Sequence, residues 1–217
     1  MKAQANLTRF DDLKWYRKDI SNGERTDYLR ALNKKEQRIL QDALNNFSGE
    51  ELSWDKNSPK NPILAALNAL YDEIMQALLY KKGFIIVKGF PTPGNQHSSQ
   101  KLKKLLMEFS SYLGLPLKQN KDQELIFDVK SIEGRTLDGE NSRGPYVQEA
   151  LPLHTDAGAI LGMYCLEAAD AGGYTLLSSA RAVHDEIEKL RPDLLGVLYQ
   201  PFYVDRRGHE LPGALAY

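Results

Sequence analysis

The stretch Leu151-Pro152-Leu153-His154-Thr155-Asp156 carries a histidine and an aspartate two residues apart, after a proline. We expect it to form a β-strand, in which residues two apart point to the same face of a sheet. The imidazole and the carboxylate would then converge on one point, as metal ligands do. The stretch therefore predicts a metal site on His154 and Asp156.

The spacing is weak evidence by itself, because the chain offers a second example at His184-Asp185-Glu186. That example lies on a predicted helix over 180–190, where side chains two residues apart diverge by about 200° around the axis. We therefore expect that His184 and Glu186 share no metal ion and that His184 is a surface residue. Exposed turn positions are predicted for the other two histidines, His97 and His209.

Short apolar runs separated by glycine and proline follow one another from residue 125 onward, as is typical of antiparallel strands in a sandwich or jelly roll. These runs are Leu125–Val129, Ile160–Leu166, Tyr174–Leu177 and Val197–Val204. The polar residues 134–144 between them are predicted to form a mobile loop.

The first third of the chain reads as helical. Asn33 with Glu36 resembles a capping box, and Asn61-Pro62 places a capping residue before a proline at the first helical position. Gly83 can end the second of these helices, and 84–87 reads as a short buried strand. A third helix is predicted to start at Ser98 or Ser99. The sequence thus predicts a mostly helical extension over 1–80 and a β-rich domain over 81–217.

The amino-acid composition argues against some classes of binding partner. The chain has 28 Lys and Arg against 29 Asp and Glu, so it has no basic excess for binding nucleic acid. No apolar run is long enough to span a membrane. The single cysteine cannot form an internal disulfide, which favours a cytoplasmic location. A small molecule is therefore the expected ligand.

Beyond these patterns, most of the chain resembles the TauD/TfdA (taurine dioxygenase) family. The resemblance rests on blocks that come in the family's order and at its spacing. They are Gly83–Pro91, Leu153–Asp156, Met163–Leu166, Gly172–Ser179 and Arg191–Leu195. The likeness extends from about residue 80 onward, while the helical third matches only loosely.

The resemblance implies an α+β fold, a cupin-like double-stranded β-helix or jelly roll with flanking helices. It also implies an oxidoreductase that uses Fe(II), 2-oxoglutarate and dioxygen to oxidise a small, anionic or amino-acid-like molecule. His154 and Asp156 would be the first two iron ligands, and Thr175 would contact the distal carboxylate of 2-oxoglutarate. The loop before the metal motif supplies candidate substrate contacts, namely Arg143, Tyr146 and Gln148.

The chain departs from the family's pattern in one respect: the second histidine ligand and the arginine that pairs with 2-oxoglutarate are not found. Arg206 and Arg207 match a mid-domain turn and do not replace that arginine. Three explanations stay open: a C-terminally incomplete fragment, a site completed by another chain or a homo-oligomer, and a noncatalytic binding or assembly protein. We expect the isolated chain not to couple 2-oxoglutarate decarboxylation to substrate oxidation.

Overall fold

A computed structural model of the chain describes residues 13–21, 28–47, 60–92, 99–119, 124–134, 146–156, 158–203 and 215–216. The chain divides into two compact units. One comprises Met1–Leu32, Ala69–Lys88 and Ser178–Tyr217, and the other comprises Asn33–Asn68 and Gly89–Leu177. We call the first the sheet unit and the second the motif unit, because the second contains His154 and Asp156.

Helices account for most of the regular structure. The helices are α1 (Arg17–Ser21), α2 (Lys34–Asn46), α3 (Pro62–Ala65), α4 (Asn68–Tyr80), α5 (Ser99–Ser110), α6 (Ala180–Leu190) and α7 (Pro192–Leu195), followed by a 3₁₀ turn at Gly196–Tyr199. The strands are β1 (Leu29–Ala31), β2 (Ile86–Lys88), β3 (Phe202–Tyr203) and β4 (Leu215–Ala216). Strand β1 pairs in parallel with β2, and β3 pairs antiparallel with β4. None of the described helices is long and apolar enough to cross a membrane.

The predicted helix starts are confirmed at two capping residues. The Asn33 side chain accepts from the Glu36 backbone N–H while the Glu36 carboxylate accepts from the Asn33 N–H, which completes a capping box at α2. Asn61 caps α3 ahead of Pro62 by accepting from the N–H of Ile63. The single helix predicted after Asn61 is instead two, because a turn at residues 66–67 separates α3 from α4.

The core of the motif unit is built from the apolar faces of α2, α3 and α5. Its fully buried side chains are Leu40, Leu44, Leu64, Leu67, Leu102, Leu105 and Met107. At the edge of this core, Phe90 stacks edge-on against Phe109 and Tyr164, and the Tyr164 hydroxyl donates to the carbonyl of Pro91 at 2.7 Å. This contact ties the segment that follows the His-x-Asp motif to the helical core.

The sheet unit is held together by contacts from the residues before α1. Trp15 donates its indole N–H to the Lys82 carbonyl at 2.8 Å, and the Ser179 hydroxyl donates to the Leu13 carbonyl at 2.7 Å. Lys14 pairs with Asp185 at 2.7 Å, and Tyr16 donates its hydroxyl to Glu186 at 2.9 Å. Polar bonds from Ser179, Asp185 and Glu186 therefore hold helix α6 against the residues before α1. Two apolar side chains of this helix, Val183 and Leu190, are exposed.

The double-stranded β-helix is not formed by the described residues. The runs predicted as strands at 125–129, 160–166 and 174–177 lie outside any strand. The run at 197–204 begins in the 3₁₀ turn and contains strand β3 at Phe202–Tyr203. The predicted strand at 84–87 is observed as β2, but it is not buried, because Ile86 is largely exposed. Strands need partners distant in sequence, whereas helices close their hydrogen bonds locally. The loop predicted at 134–144 lies mostly outside the described residues.

The core of the motif unit predicts a large cost for Leu105→Ala. Leu105 is fully buried, so truncation removes apolar contacts and leaves a cavity, at a cost of about 2–5 kcal/mol in the free energy of unfolding. The matched change Leu115→Ala, at a residue that is 70% exposed, should cost far less. Urea unfolding followed by circular dichroism measures both, and equal costs would contradict the assigned core.

The ion pair on α6 predicts a pH-dependent contribution to stability. Lys14 donates to Asp185, which lowers the pKa of that carboxyl below its ordinary 3.8 and raises the pKa of Lys14 above 10.5. The ion pair therefore stabilises the folded chain at pH values between 3.8 and 10.5. This stabilisation is lost as the pH falls through the lowered pKa of Asp185. Lys14→Met should lower the melting temperature near neutral pH and make no difference at about pH 2.

The control for that experiment is Lys35→Met, because Lys35 is exposed on α2. Its melting temperature should follow that of the unaltered chain at every pH. A Lys14→Met deficit that persists unchanged into strong acid would show that the stabilisation comes from packing of the lysine stem rather than from the ion pair.

Candidate metal centre

His154 and Asp156 face each other in the motif unit. The Nε2 atom of His154 lies 3.9 Å from Oδ1 of Asp156, and both side chains are half exposed. The backbone around them is irregular, so the predicted strand is wrong for residues 151–156 as the structure has them. The two side chains nevertheless point to one side of the chain, with their ligand atoms close enough for one small cation to bridge them.

A hydrogen bond to the backbone fixes the orientation of the His154 ring. Its Nδ1 atom lies 2.7 Å from the carbonyl oxygen of Pro152, and a carbonyl oxygen can only accept, so Nδ1 carries the proton. The lone pair is then on Nε2, the atom that faces Asp156. Metal-binding histidines commonly donate their second ring N–H to a carbonyl or carboxylate in this way. In this tautomer Nε2 is the ring atom that can bind a metal.

The carboxylate of Asp156 is available to a cation. Within the part of the chain that the structure describes, no lysine or arginine forms an ion pair with it, and its close neighbour is the His154 ring. A carboxylate and an imidazole nitrogen form a donor set suited to first-row transition metals, including ferrous iron. The pair therefore fits two of the ligands of such an ion.

Thr175, the candidate cosubstrate contact, lies in the same unit on an irregular segment, with its side chain exposed. Two glycines in the left-handed conformation precede it. Gly172 and Gly173 have φ values of 80° and 68°, in the left-handed region that residues with a Cβ rarely adopt. No β-strand is observed around Thr175, so the expected neighbouring strand is wrong for the described residues.

The candidate substrate residues are only partly described. Tyr146 is half buried, and its carbonyl accepts from the N–H of Ile132 at 2.9 Å, which joins the segment before the metal motif to residues 124–134. Gln148 is exposed. Arg143 lies outside the described residues, as do His97, His209, Arg206 and Arg207. A substrate role for any of the three candidates remains a prediction.

A second group of possible ligands, which the sequence analysis missed, lies on α6. Ligand atoms of His184, Asp185 and Glu188 all lie within 4.8 Å of one another. The signal was present in the sequence, because residues four apart, such as 184 and 188, share one face of a helix. Glu186 accepts from Tyr16 and is not part of this group. His184 lies beside Tyr199 with 26% of its side chain exposed.

The groups in this cluster already have partners within the protein. His184 Nε2 lies 2.6 Å from the Tyr199 hydroxyl, and its Nδ1 lies 3.3 Å from Asp185. The Asp185 carboxylate also pairs with Lys14 at 2.7 Å and Arg181 at 3.2 Å. A metal ion would have to displace two cations from this carboxylate. Asp156 pairs with neither a lysine nor an arginine among the described residues, so the geometry favours the His154–Asp156 pair.

Comparison with known proteins then identifies the family. A sequence model described as taurine catabolism dioxygenase TauD, TfdA family matches residues 56–214, more than two thirds of the chain. The chain belongs to this family. The predicted resemblance to the TauD/TfdA family is thus confirmed, and the match begins at residue 56, earlier than the expected start at about residue 80. No solved structure matches the chain.

Two curated relatives are similar over most of the chain. FR-33289 synthase from Streptomyces rubellomurinus (strain ATCC 31215) is 24% identical over 200 residues, which cover 92% of this chain and 58% of that protein. Taurine hydroxylase-like protein SAT17 from Stachybotrys chartarum (strain CBS 109288 / IBT 7711) is 25% identical over 201 residues, which cover 90% of this chain and 51% of that protein. This TauD/TfdA chain therefore spans between half and three fifths of the length of the relatives it matches.

The His154–Asp156 pair and the ligand cluster on α6 predict opposite outcomes for two alanine variants. Asp156→Ala removes one of two converging donors and should weaken binding of ferrous iron by more than about tenfold, because even the loss of an outer hydrogen-bond partner costs about 10–100-fold. His184→Ala should leave binding unchanged. Anaerobic equilibrium dialysis measures both affinities. Equal losses would contradict the exclusion of His184 as a ligand, and a loss confined to His184→Ala would place the ion on α6.

Proposed function

We propose that this chain provides metal and cosubstrate ligands of an iron(II)- and 2-oxoglutarate-dependent dioxygenase that oxidises a small molecule. The observation that carries the proposal is the approach of His154 Nε2 to within 3.9 Å of Asp156 Oδ1. Family membership supports it, because the matched family is described as a dioxygenase family. The chemistry of the donor set supports it independently, since imidazole and carboxylate both suit ferrous iron.

In this proposal His154 and Asp156 would be two of the residues that hold the iron. The Pro152 carbonyl keeps the His154 ring in the tautomer that has its lone pair on Nε2, and the Asp156 carboxylate offsets part of the positive charge. The iron, when bound with 2-oxoglutarate and dioxygen, supplies the oxidising chemistry, while the protein supplies orientation. A third protein ligand, as in a facial set of two histidines and one carboxylate, is not assigned to any described residue.

Thr175 is proposed to orient the cosubstrate. Its hydroxyl can donate to the far carboxylate of 2-oxoglutarate, and a hydrogen bond to a charged acceptor is stronger than one between neutral groups. The positive φ values of Gly172 and Gly173 support this role, because they turn the chain directly before Thr175. An orienting bond at the far carboxylate helps to present the other end of the molecule to the metal.

The substrate class is proposed to be small acids, sulfonates and amino-acid-like compounds. One relative is named as taurine hydroxylase-like, and taurine is a small amino sulfonate. Arg143 would provide a cation for an acidic group, while Tyr146 and Gln148 would provide hydrogen-bond donors. These three residues precede the metal motif by a few positions, so they belong to the segment that leads into it.

A second candidate function is a noncatalytic binding or assembly protein. The observation that favours it is the exposure of large apolar side chains between residues 151 and 177, which a stable monomer usually buries. Binding of iron and 2-oxoglutarate distinguishes the two candidates. An assembly protein requires neither ligand.

The proposed function predicts metal-dependent binding of 2-oxoglutarate that depends on the Thr175 hydroxyl. Thr175→Ala should weaken 2-oxoglutarate binding by about 10–100-fold, since a hydrogen bond to a charged group contributes about 1.5–3 kcal/mol. Thr175→Ser keeps the hydroxyl and should bind like the unaltered chain. Calorimetry with Mn(II) in place of iron avoids turnover during the titration.

Two controls complete that experiment. Omitting Mn(II), or using Asp156→Ala, should abolish the binding signal if the metal lies at the proposed pair. Binding of 2-oxoglutarate that is independent of the metal, or equal losses in Thr175→Ala and Thr175→Ser, would contradict the proposed roles.

A further inference from the structure

A chain of hydrogen bonds runs from a carboxylate on α6 to an exposed phenol in the 3₁₀ turn that follows α7. The Nδ1 atom of His184 lies 3.3 Å from Oδ1 of Asp185, and its Nε2 atom lies 2.6 Å from the hydroxyl oxygen of Tyr199. The imidazole and phenol rings meet edge-on, with centroids 5.9 Å apart. All three residues lie in the sheet unit. A hydroxyl, a base within hydrogen-bond reach and a third group that orients the base are the signature of an activated nucleophile.

The charges around Asp185 decide where the protons of this chain lie. The hydrogen bond from Lys14 is the largest cause that lowers the pKa of the Asp185 carboxyl, and the charge of Arg181 adds to it, so this carboxylate is ionised near neutral pH. An ionised carboxylate only accepts hydrogen bonds, so Nδ1 of the neutral His184 ring carries the proton. The lone pair is then on Nε2, and the Tyr199 hydroxyl donates to it. The phenol proton therefore already points at the base that can take it.

The exposure of the three side chains supports a chemical role. Tyr199 is 72% exposed, so a molecule in solution can approach its ring. The side chains of His184 and Asp185 are only 26% and 18% exposed, so the pair that acts on the hydroxyl is partly shielded from water. By contrast, the hydroxyl of the half-buried Tyr164 donates to a backbone carbonyl, a bond that joins two segments and offers no base. Tyr199 thus combines an accessible hydroxyl with a shielded base.

We propose that Tyr199 is a modification site that accepts an acyl group from an activated acyl compound, with His184 as the general base and Asp185 as the group that orients it. The class of reagent follows from the parts, because a hydroxyl with an imidazole and a carboxylate behind it is the arrangement used in acyl transfer. The site is independent of the His154–Asp156 pair, which lies in the motif unit.

The proposed step moves one acyl group and one proton. The Tyr199 oxygen forms a bond to the acyl carbon, and that carbon loses its bond to the leaving group. The phenol proton moves to Nε2 of His184 and is then given to the leaving group. The products are a tyrosine ester and the protonated leaving group, and nothing is oxidised or reduced. Base assistance of this kind contributes typically about 10²–10⁴-fold to a rate, so Tyr199 should react faster than a tyrosine that has no base beside it.

Acetylation by p-nitrophenyl acetate tests the proposal on the full 217-residue chain near neutral pH. Lysine amines also react with active esters, so the rate is followed at single tyrosines by peptide mass spectrometry. Tyr174 is the internal comparison, because it is 90% exposed and its hydroxyl forms no hydrogen bond with another residue that the structure describes. Tyr199 should be acetylated at least about tenfold faster than Tyr174.

Three variants identify the source of that difference. His184→Gln removes the base and should lower the Tyr199 rate to about that of Tyr174. Asp185→Asn keeps the size of the side chain but removes the charge that fixes the His184 tautomer, so it should also slow Tyr199. Glu188→Gln is the matched control, because Glu188 lies close to both residues on α6 but outside the chain of hydrogen bonds, and it should leave the Tyr199 rate unchanged. Circular dichroism checks that the helices of each variant are intact.

Equal rates at Tyr199 and Tyr174 in the unaltered chain would overturn the proposal, whatever the variants do. An unchanged Tyr199 rate in a folded His184→Gln variant would overturn it as well, because the base would then play no part. Acetylation needs no metal, so the rate should be the same with a chelator present. A chelator that abolishes the reaction would also overturn the proposal.

Discussion

The short approach between His154 and Asp156 is the interaction on which the account of this protein depends. Side chains two residues apart can converge only where the backbone between them is not helical, because a helix turns them away from each other. The bond from the His154 ring to the Pro152 carbonyl supports the same geometry, since it directs Nε2 toward the carboxylate. The non-helical backbone thus sets the spacing of the two ligand side chains. The Pro152 carbonyl sets the tautomer and the direction of the His154 ring.

The helices could be predicted from the sequence because their determinants are local. Asn33 with Glu36, and Asn61 before Pro62, satisfy backbone N–H groups within a few residues, and both caps are present. The helix at 180–190 has the predicted bounds. Val183 and Leu190 on this helix are exposed, however. The spacing of apolar residues identifies a helix, but it does not show which part of the protein packs against the apolar face of that helix.

The β-rich half could not be predicted in the same way. Strands at 160–166 and 174–177 would need partners far away in sequence, and the described residues supply none. The apolar alternation that suggested strands is nevertheless present as exposed leucine, methionine and tyrosine side chains. The apolar alternation therefore fails to predict the observed structure where a strand would need a partner far away in the sequence. The ligand pair was predictable because its two members are almost adjacent, whereas a ligand distant in sequence gives no such signal.

Helix α6 shows why a group of ligand types is not by itself a metal site. His184, Asp185 and Glu188 are as close together as metal ligands, yet Lys14 and Arg181 already balance the charge of Asp185. Asp156 has no such partner among the described residues. The most direct test is anomalous diffraction at the iron edge from crystals of the chain grown with Fe(II) without oxygen. The account predicts a peak about 2.0–2.2 Å from both His154 Nε2 and an Asp156 carboxylate oxygen. A peak at His184 and Glu188, with none at His154, would contradict it.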